Sequence, residues 1–285
     1  MSTEPRTVPS AITAAATEQR ITAEVIDRIA PSTDPRLRRI VTSLITHLHG
    51  FVRDVELTES EWFAAIQFLT RTGQKCSDER QEFILLSDVL GISMLVDAVN
   101  HRQPSGATET TVFGPFYTGE QPLLPHGASI LKRPEPAPTL RVSGHVRAAD
   151  GKPLAGALVE VWQVDANGLY DVQDAAIPKG HLRASFRTRE DGGFAFLTIA
   201  PVTYAIPTDG PVGELLRGLG RHAMRPAHIH FMISAPGYER LVTHIFVAGD
   251  KYLQGDAVFG VKNSLVAAFD RDHVEFDFGL KPLAA

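Results

Sequence analysis

Residues 140–171, LRVSGHVRAADGKPLAGALVEVWQVDANGLYD, decide the fold class of this chain. Apolar residues alternate with polar or small ones over the first seven positions, which is the period of a β-strand with one buried face. The chain then turns at Asp150-Gly151, and a second strand follows toward Trp162. The segment therefore predicts two strands joined by a turn of the type found in β-hairpins.

The same succession of strand, turn and strand recurs at residues 186–199, FRTREDGGFAFLTI, around a second glycine turn. Further short strands are predicted for HIHFMIS, LVTHIFVA and HVEFDFG, at residues 228–234, 241–248 and 273–279. Residues 199–228 are rich in Pro and Gly and are expected to form loops. We therefore predict a mostly β fold with some α, in which an antiparallel β-sandwich core covers residues 103–285.

The part before residue 103 has the spacing of helices. Asp34 and Pro35 are typical of a helix start, and apolar residues repeat at helical spacing over residues 34–52. Thr58 and Glu61 form a capping-box pattern before a second helix. A third helix is expected to run from residue 77 to 102, with acidic residues in its first turn. Residues 1–102 are thus predicted to be an N-terminal tail and a helical segment, with about the first twenty residues mobile or loosely helical.

Composition excludes several classes of protein. The 285 residues carry a formal net charge of −5, so the chain lacks the overall excess of positive charge that is typical of proteins that bind nucleic acid. The single cysteine, Cys76, cannot form an intramolecular disulfide or a cysteine-rich metal cage. No signal peptide or membrane-spanning run is recognisable, and a cytoplasmic protein is expected.

The heptapeptide RPAHIHF, residues 225–231, raises the question of a metal site. His228 and His230 lie two apart on a predicted strand, so both side chains face the same way and could bind one ion. That spacing is also common where two histidines face solvent or neighbours. Tyr170 and Tyr204 lie at the ends of predicted strands, and a phenol becomes a ligand only for a strongly polarising ion such as ferric iron. A site with two tyrosines and two histidines would therefore argue for Fe(III).

Four blocks in this order resemble the intradiol ring-cleaving dioxygenases, the catechol 1,2-dioxygenase group: TVFGPFY, GKPLAGALVEVWQVDANGLYD, YAIPTDGPVG and RPAHIHF. The resemblance implies an Fe(III) cofactor held by Tyr170, Tyr204, His228 and His230. It also implies that Tyr204 is displaced by the substrate and takes up one of its protons. Arg225 would stabilise the negative charge that develops on the ring.

Within this family, TVFGPFY, ILLSDVLG and LVTHIFV resemble the hydroxyquinol-cleaving branch, which converts 1,2,4-trihydroxybenzene and O₂ to 3-hydroxy-cis,cis-muconate or its tautomer maleylacetate. His244 stands where many catechol-cleaving relatives have glutamine, and we interpret it as a mark of this branch. The substrate-binding residues implied by the resemblance are Leu85, Asp88, Val112, Phe113, Gly114, Pro115, Phe116, Ile206, Pro207, His244 and Val258. Asp88 is expected to accept a hydrogen bond from the third hydroxyl group.

Three alternatives remain open at this point. One is a catechol or chlorocatechol 1,2-dioxygenase, and another is a transthyretin-like β-sandwich that binds ligands without catalysis. The third is a hydrolytic zinc enzyme, for which the sequence offers no obvious third ligand of the usual kind. The resemblance further implies a homodimer formed through the N-terminal helices, with a phospholipid bound between them in some members.

Overall fold

A computed structural model describes residues 14–77, 80–102, 104, 106–119 and 121–283. Contacts within the chain divide it into two compact units, residues 1–68 and 69–285. The helices are α1 (Ala14–Asp27), α2 (Pro35–Asp54), α3 (Glu59–Gln74), α4 (Glu82–Val89), α5 (Ile92–Asn100) and α6 (Pro211–Gly218). None of the helices in these ranges is long and apolar enough to cross a membrane. Most of the expected tail, residues 1–13, lies outside the described residues.

The strands form two larger sheets and one short ribbon. The strands are β1 (Thr139–Ala148), β2 (Leu158–Trp162), β3 (Arg183–Arg187), β4 (Gly193–Ile199), β5 (Tyr204–Ala205), β6 (Met224–Arg225), β7 (His228–Ser234), β8 (Leu241–Val247), β9 (Val266–Ala267), β10 (His273–Glu275) and β11 (Phe278–Leu280). One sheet joins β4, β10 and β11 to β1, and the other has the order β3-β2-β7-β8-β9. One apolar core contains residues of both sheets, among them Val142 and Phe196 of the first and Ile229 and Ile245 of the second.

This arrangement confirms the predicted β-sandwich preceded by helices. The longer strands pair antiparallel, as expected. Among the strands of the described residues, only the short strands β9, β10 and β11 pair parallel with a neighbour.

Two of the predicted helix starts are confirmed by their hydrogen bonds. The carboxylate of Asp34 accepts a bond from the amide of Leu37 at 2.8 Å, and Pro35 occupies the first turn of α2. The amide of Thr58 donates to the Glu61 carboxylate at 3.0 Å, and the Glu61 amide donates back to the Thr58 hydroxyl at 3.3 Å. Both helix starts could be predicted from the sequence, because side chains of these types accept hydrogen bonds from amides that the first turn of a helix leaves unpaired.

The prediction of a single third helix was wrong. Helix α4 begins at Glu82, and Gly91 separates it from α5. Gly91 has φ of 73°, a left-handed conformation that a right-handed helix cannot continue through. The acidic residues expected in the first turn, Asp78 and Glu79, lie outside the described residues.

The two glycine turns do not join neighbours of one sheet. The residues on either side of the Asp150-Gly151 turn form one antiparallel bridge, between Arg147 and Pro153. The chain then crosses to the other sheet and enters it as β2. The second turn likewise links β3 of one sheet to β4 of the other. A turn signal predicts a change of direction, but the sheet that the next strand joins depends on partners that are distant in sequence.

The region expected to be loops, residues 199–228, contains regular elements that position the site. Helix α6 occupies its centre, with Pro211 in its first turn. Strands β5 and β6 pair antiparallel and place Tyr204 opposite Arg225. Two residues that the sequence assigns to one site are thereby brought together.

Candidate metal centre and active site

The four side chains predicted to bind a metal ion converge in the structure. The hydroxyl of Tyr170 lies 3.2 Å from the hydroxyl of Tyr204 and 2.9 Å from Nε2 of His230. Nε2 of His230 lies 3.2 Å from Nε2 of His228. Both histidines are 2 % exposed, Tyr170 is 1 % exposed and Tyr204 is 6 % exposed. Two oxygens and two nitrogens therefore face one another in a region closed to solvent.

The sheet geometry explains why the two histidines face the same point. His228 and His230 alternate along β7 with the core residues Ile229 and Phe231. In the register of the sheet, His230 lies between Trp162 of β2 and His244 of β8. The rings of Trp162 and His230 are stacked at 4.7 Å between centroids, which fixes the orientation of the imidazole.

Burial keeps these imidazoles in the neutral form that binds metals. Desolvation, followed by the charge of Arg225, lowers the pKa of His228 to about 3. Desolvation also holds the pKa of His230 well below its ordinary value. Nδ1 of His228 lies 2.7 Å from the carbonyl oxygen of Pro226, which can only accept. The proton of His228 is therefore on Nδ1, and Nε2 presents its lone pair to the site.

The spacing of the donor atoms fits a transition-metal ion. Two ligand atoms at roughly 2.1 Å from one ion and about 90° apart are separated by about 3.0 Å, close to the distances found here. The phenol of Tyr170 has a pKa raised well above its ordinary value, by burial and by its neighbour Tyr204. Such a phenol would lose its proton only to an ion of high charge density.

The structure corrects one argument made from the sequence. A third histidine, His244, brings a ring nitrogen within 4.8 Å of nitrogens of His228 and His230. The third ligand of the usual zinc kind, which the sequence did not reveal, is therefore present beside the pair. The zinc alternative must be decided by the chemistry of the tyrosines, not by the number of histidines.

Arg225 directs one amino group at the metal-binding atoms. Its Nη1 lies 3.2 Å from Nε2 of His228, and its side chain is 3 % exposed. Nε and Nη2 donate to the two carboxylate oxygens of Asp256 at 3.0 and 3.2 Å. The carboxylate is itself fixed by the amide of Gly260 at 2.9 Å. A buried positive charge is thus held rigidly beside the donor set.

Most of the predicted substrate wall lines two cavities. One, of about 510 Å³, is lined by Leu85, Pro115, Phe116, Ile206 and Pro207. The other, of about 410 Å³, is lined by Asp88, Val112, Phe113 and Gly114. A larger cavity, of about 840 Å³, shares lining residues with both. His244 and Val258 line none of the three.

Contacts connect the two cavities to each other and to the metal-binding atoms. Leu85, Val112, Ile206 and Val258 pack in one apolar cluster. The ring of Phe116 stacks on Tyr170 with 4.6 Å between centroids. Gly114 has φ of 76°, a conformation that favours glycine, and a Cβ there would also lie only 3.3 Å from the ring of His230.

Asp88 is buried and close to the charges of the site. Its side chain is 3 % exposed and interacts with Ser93. Desolvation raises its pKa, and the charge of Arg225 acts in the opposite direction. Asp88 therefore offers a polar group in a cavity whose surface is otherwise largely apolar.

Two positioning residues were missed by the sequence reasoning. Asp256, described above, holds Arg225. Asp250 accepts a hydrogen bond from the hydroxyl of Thr203 at 2.6 Å and another from the amide of Ala227 at 2.9 Å. These donors immediately precede Tyr204 and His228, so one carboxylate ties together two segments that carry ligand atoms. Each aspartate also accepts a hydrogen bond from a nearby amide, Tyr252 for Asp250 and Gly260 for Asp256. No pattern in the sequence indicates their partners at the site, which are 23 to 47 residues away.

Comparisons with known proteins identify the family of this chain. A family profile described as "Dioxygenase" matches residues 112–281, and one described as "Catechol dioxygenase N terminus" matches residues 34–108. The 6-chlorohydroxyquinol 1,2-dioxygenase of Cupriavidus pinatubonensis is 52% identical over 270 residues, which cover 93% of this chain and 98% of that protein. The hydroxyquinol 1,2-dioxygenase of Rhizobium sp. is 51% identical over 255 residues, 89% of this chain and 86% of the relative.

A solved structure shares the whole architecture. The hydroxyquinol 1,2-dioxygenase from Pseudomonas putida DLL-E4 superposes with a TM-score of 0.88 at 47% identity, covering 94% of this chain and 100% of that one. The two profiles together match most of the chain, and the relatives match it nearly from end to end. The chain therefore belongs to the intradiol ring-cleavage dioxygenases, the family of the catechol 1,2-dioxygenases.

Proposed function

We propose that this chain is a hydroxyquinol 1,2-dioxygenase, which uses Fe(III) and O₂ to cleave 1,2,4-trihydroxybenzene to 3-hydroxy-cis,cis-muconate or maleylacetate. The proposal rests on the convergence of two phenol oxygens and two imidazole nitrogens. Adjacent atoms of this set are 2.9 to 3.2 Å apart. The names of the similar proteins support a hydroxyquinol, and not catechol, as the substrate within this family.

The donor set favours ferric iron over zinc. Tyr170 and Tyr204 would bind as phenolates and His228 and His230 through Nε2. Zinc usually takes cysteine, histidine and carboxylate ligands, whereas a phenol with a raised pKa calls for a stronger Lewis acid. A bound ferric ion would supply the centre at which two adjacent substrate oxygens bind as anions, so that the electron-rich ring becomes reactive toward O₂.

The remaining chemistry is assigned to side chains around the donor set. Tyr204 would take a proton from a substrate hydroxyl through its phenol oxygen. Arg225 would stabilise negative charge on the ring, because its guanidinium is buried and already oriented by Asp256. The apolar cluster around Val112 and Ile206 would exclude water from the reacting ring.

A direct experiment tests the proposal. The protein purified with iron should absorb visible light, because phenolate bound to ferric iron gives a charge-transfer band. Oxygen uptake should be compared for hydroxyquinol, a chlorohydroxyquinol, catechol and a chlorocatechol. The highest kcat/KM is expected for a hydroxyquinol. A colourless protein that binds iron no better than zinc would refute the ferric site, and a preference for catechol would favour the catechol-cleaving alternative.

Replacing Asp88 tests the choice of ring. Asp88→Ala should lower kcat/KM for hydroxyquinol relative to catechol by about 10- to 100-fold, because a buried acceptor for the third hydroxyl is lost. Asp88→Asn, which keeps an acceptor oxygen, should lose less. Thr110→Val is a matched control, since Thr110 lines the same cavity, its hydroxyl has no hydrogen-bond partner in the described part of the chain, and it is assigned no contact with the ring. An unchanged ratio in Asp88→Ala would remove this residue from substrate recognition.

The proposal extends to assembly and location. We assign residues 1–102 to dimerisation and residues 103–285 to the catalytic domain with the iron site. Four apolar residues on one side of α2, Leu37, Ile40, Leu44 and Leu48, are each about half exposed, which suits a homodimer contact or the acyl chains of a phospholipid. We place the enzyme in the cytoplasm. Light scattering of the purified protein should give twice the mass of the chain, and a monomer would contradict the dimer.

A further inference from the structure

The buried nitrogens that lack hydrogen-bond partners are concentrated in one place. Among the described residues, the side chains with such nitrogens are Arg183, Trp162, His230 and His244. In the register of the five-stranded sheet these four residues stand side by side, on β3, β2, β7 and β8. Unpaired polar atoms are costly in a protein interior, so their concentration beside the donor set indicates a functional constraint.

The two proposed histidine ligands differ in their second nitrogen. Nδ1 of His228 donates to the carbonyl oxygen of Pro226, which fixes its tautomer. Nδ1 of His230 has no partner. If Nε2 of His230 binds a metal ion, its proton must lie on Nδ1, and metal-bound histidines almost always donate that proton to an acceptor. The acceptor for His230 is therefore missing from the hydrogen bonds of this structure.

His244 is the group best placed to be that acceptor. It lies directly opposite His230 in the register between β7 and β8, and the two ring centroids are 4.0 Å apart. His244 is fully buried, and neither of its ring nitrogens has a hydrogen-bond partner. A neutral imidazole keeps a lone pair on one of its two ring nitrogens, and this lone pair can accept a hydrogen bond.

The two rings are not aligned for such a bond in the metal-free chain. They are tilted by 74°, so a hydrogen bond to Nδ1 of His230 requires the ring of His244 to turn toward it.

Resting on the ferric site proposed above, we infer that His244 is a positioning residue that accepts a hydrogen bond from Nδ1–H of His230 when the metal ion is bound. This bond would fix the tautomer and the ring plane of His230, as Pro226 does for His228. The sequence resemblance places His244 among the substrate-binding residues, whereas its contacts favour a role through His230.

Two substitutions at His244 separate this role from packing. His244→Gln keeps an acceptor oxygen, and His244→Leu removes every acceptor. With iron-loaded protein, transfer of iron to an added chelator should be about 10- to 100-fold faster for His244→Leu than for the wild type. His244→Gln should stay within about threefold of the wild type. Phe246→Leu is the packing control, because this ring contacts both His228 and His244 but accepts no such bond, and it should also stay within about threefold.

A measurement on the wild-type chain avoids any dependence on folding of the variants. Protein labelled with ¹⁵N at histidine and loaded with Ga(III), a diamagnetic ion of the same charge, should show a coupling between Nδ1 of His230 and a nitrogen of His244 across the hydrogen bond. The slowly exchanging Nδ1 proton of His228 should be the same in the wild type and in His244→Gln.

The outcomes distinguish this inference from the proposed function. If wild-type protein binds iron with a visible band but shows no coupling, and His244→Leu keeps iron as well as the wild type, the inference fails and the ferric site stands. Equal iron loss in His244→Gln and His244→Leu would indicate that His244 is itself a ligand, which also overturns the inference. If the wild type develops no band with iron, the proposed function fails first.

Discussion

Removing the charge of Arg225 should lower kcat by about 10³-fold while leaving the iron content of the protein unchanged. Nη1 of this residue lies 3.2 Å from Nε2 of His228, so its charge faces the place where the substrate would bind. The loss of one preorganised group that stabilises developing charge costs about 10²- to 10³-fold in kcat. The charge on the ring grows during the reaction, and kcat should therefore fall more than KM rises.

The choice of variant matters because Arg225 forms a buried ion pair. Arg225→Met alone would leave the Asp256 carboxylate buried without its partner, which destabilises a protein by about 3–5 kcal/mol. In the double variant Arg225→Met/Asp256→Asn, no uncompensated charge remains, and the new amide oxygen can still accept the bond from Gly260 that the carboxylate of Asp256 accepts now. Steady-state oxygen uptake and thermal unfolding of this double variant separate an effect on catalysis from an effect on folding.

Arg221 provides the matched control for charge and size. Its guanidinium donates to the backbone oxygens of Val89 and Ala257 and lies over the ring of Phe259. Within the described part of the chain, none of these contacts joins it to the four donor side chains. Arg221→Met should therefore retain kcat within about threefold. If Arg225→Met/Asp256→Asn also retains kcat within that range, Arg225 has no part in charge stabilisation.

The sequence predicted those parts of the site that depend on local geometry. His228 and His230 face the same way because residues two apart on a strand always do, and the two helix caps follow from amides that need partners. The tyrosines, 34 residues apart, could be joined to the pair only through the family resemblance, because no local spacing relates Tyr170 to Tyr204.

The remaining parts depend on partners that only the folded chain brings together. Asp256 meets Arg225 across 31 residues, and Asp250 links two segments that lie 47 and 23 residues before it. The pairing of β7 with β8 was needed to place His244 opposite His230. For the same reason no third histidine for a zinc site could be recognised from the sequence, and both glycine turns were assigned to neighbours in one sheet.

Acid should unfold the metal-free protein at a pH where most proteins of this size remain folded. The pKa of His228 is lowered to about 3 in the folded chain by desolvation and by Arg225, and desolvation lowers those of His230 and His244 well below the ordinary value. In the unfolded chain each histidine has a pKa of about 6.5. Below pH 6.5 these histidines bind protons in the unfolded chain but not in the folded chain. The free energy of unfolding therefore decreases as the pH falls.

The size of this effect follows from the number of buried histidines. Each contributes up to about 1.4 kcal/mol per pH unit, and the three at the site together up to about 4 kcal/mol per unit, against a total stability of about 5–15 kcal/mol for a folded protein. Desolvation also lowers the pKa of His181 and of His126, and both add to the slope. Carboxylates with lowered pKa, such as Asp256, add to the loss only near and below their unfolded pKa of about 3.9. From pH 6.5 to 4.5 the histidines therefore dominate the slope, and Asp88, whose pKa is raised by desolvation, acts in the opposite direction.

Urea unfolding of the metal-free chain across that interval measures the slope directly. His244→Leu removes one of the three titrating imidazoles at the site and should reduce the slope by up to about 1.4 kcal/mol per pH unit, although it also changes the stability at pH 7. The exposed His273 (41 % of its side chain is accessible) provides the control, and His273→Gln should leave the slope unchanged. A free energy of unfolding that stays constant or rises as the pH falls from 6.5 to 4.5 would mean that these imidazoles are protonated in the folded chain. Such protonated imidazoles could not present the lone pairs on which the metal centre depends.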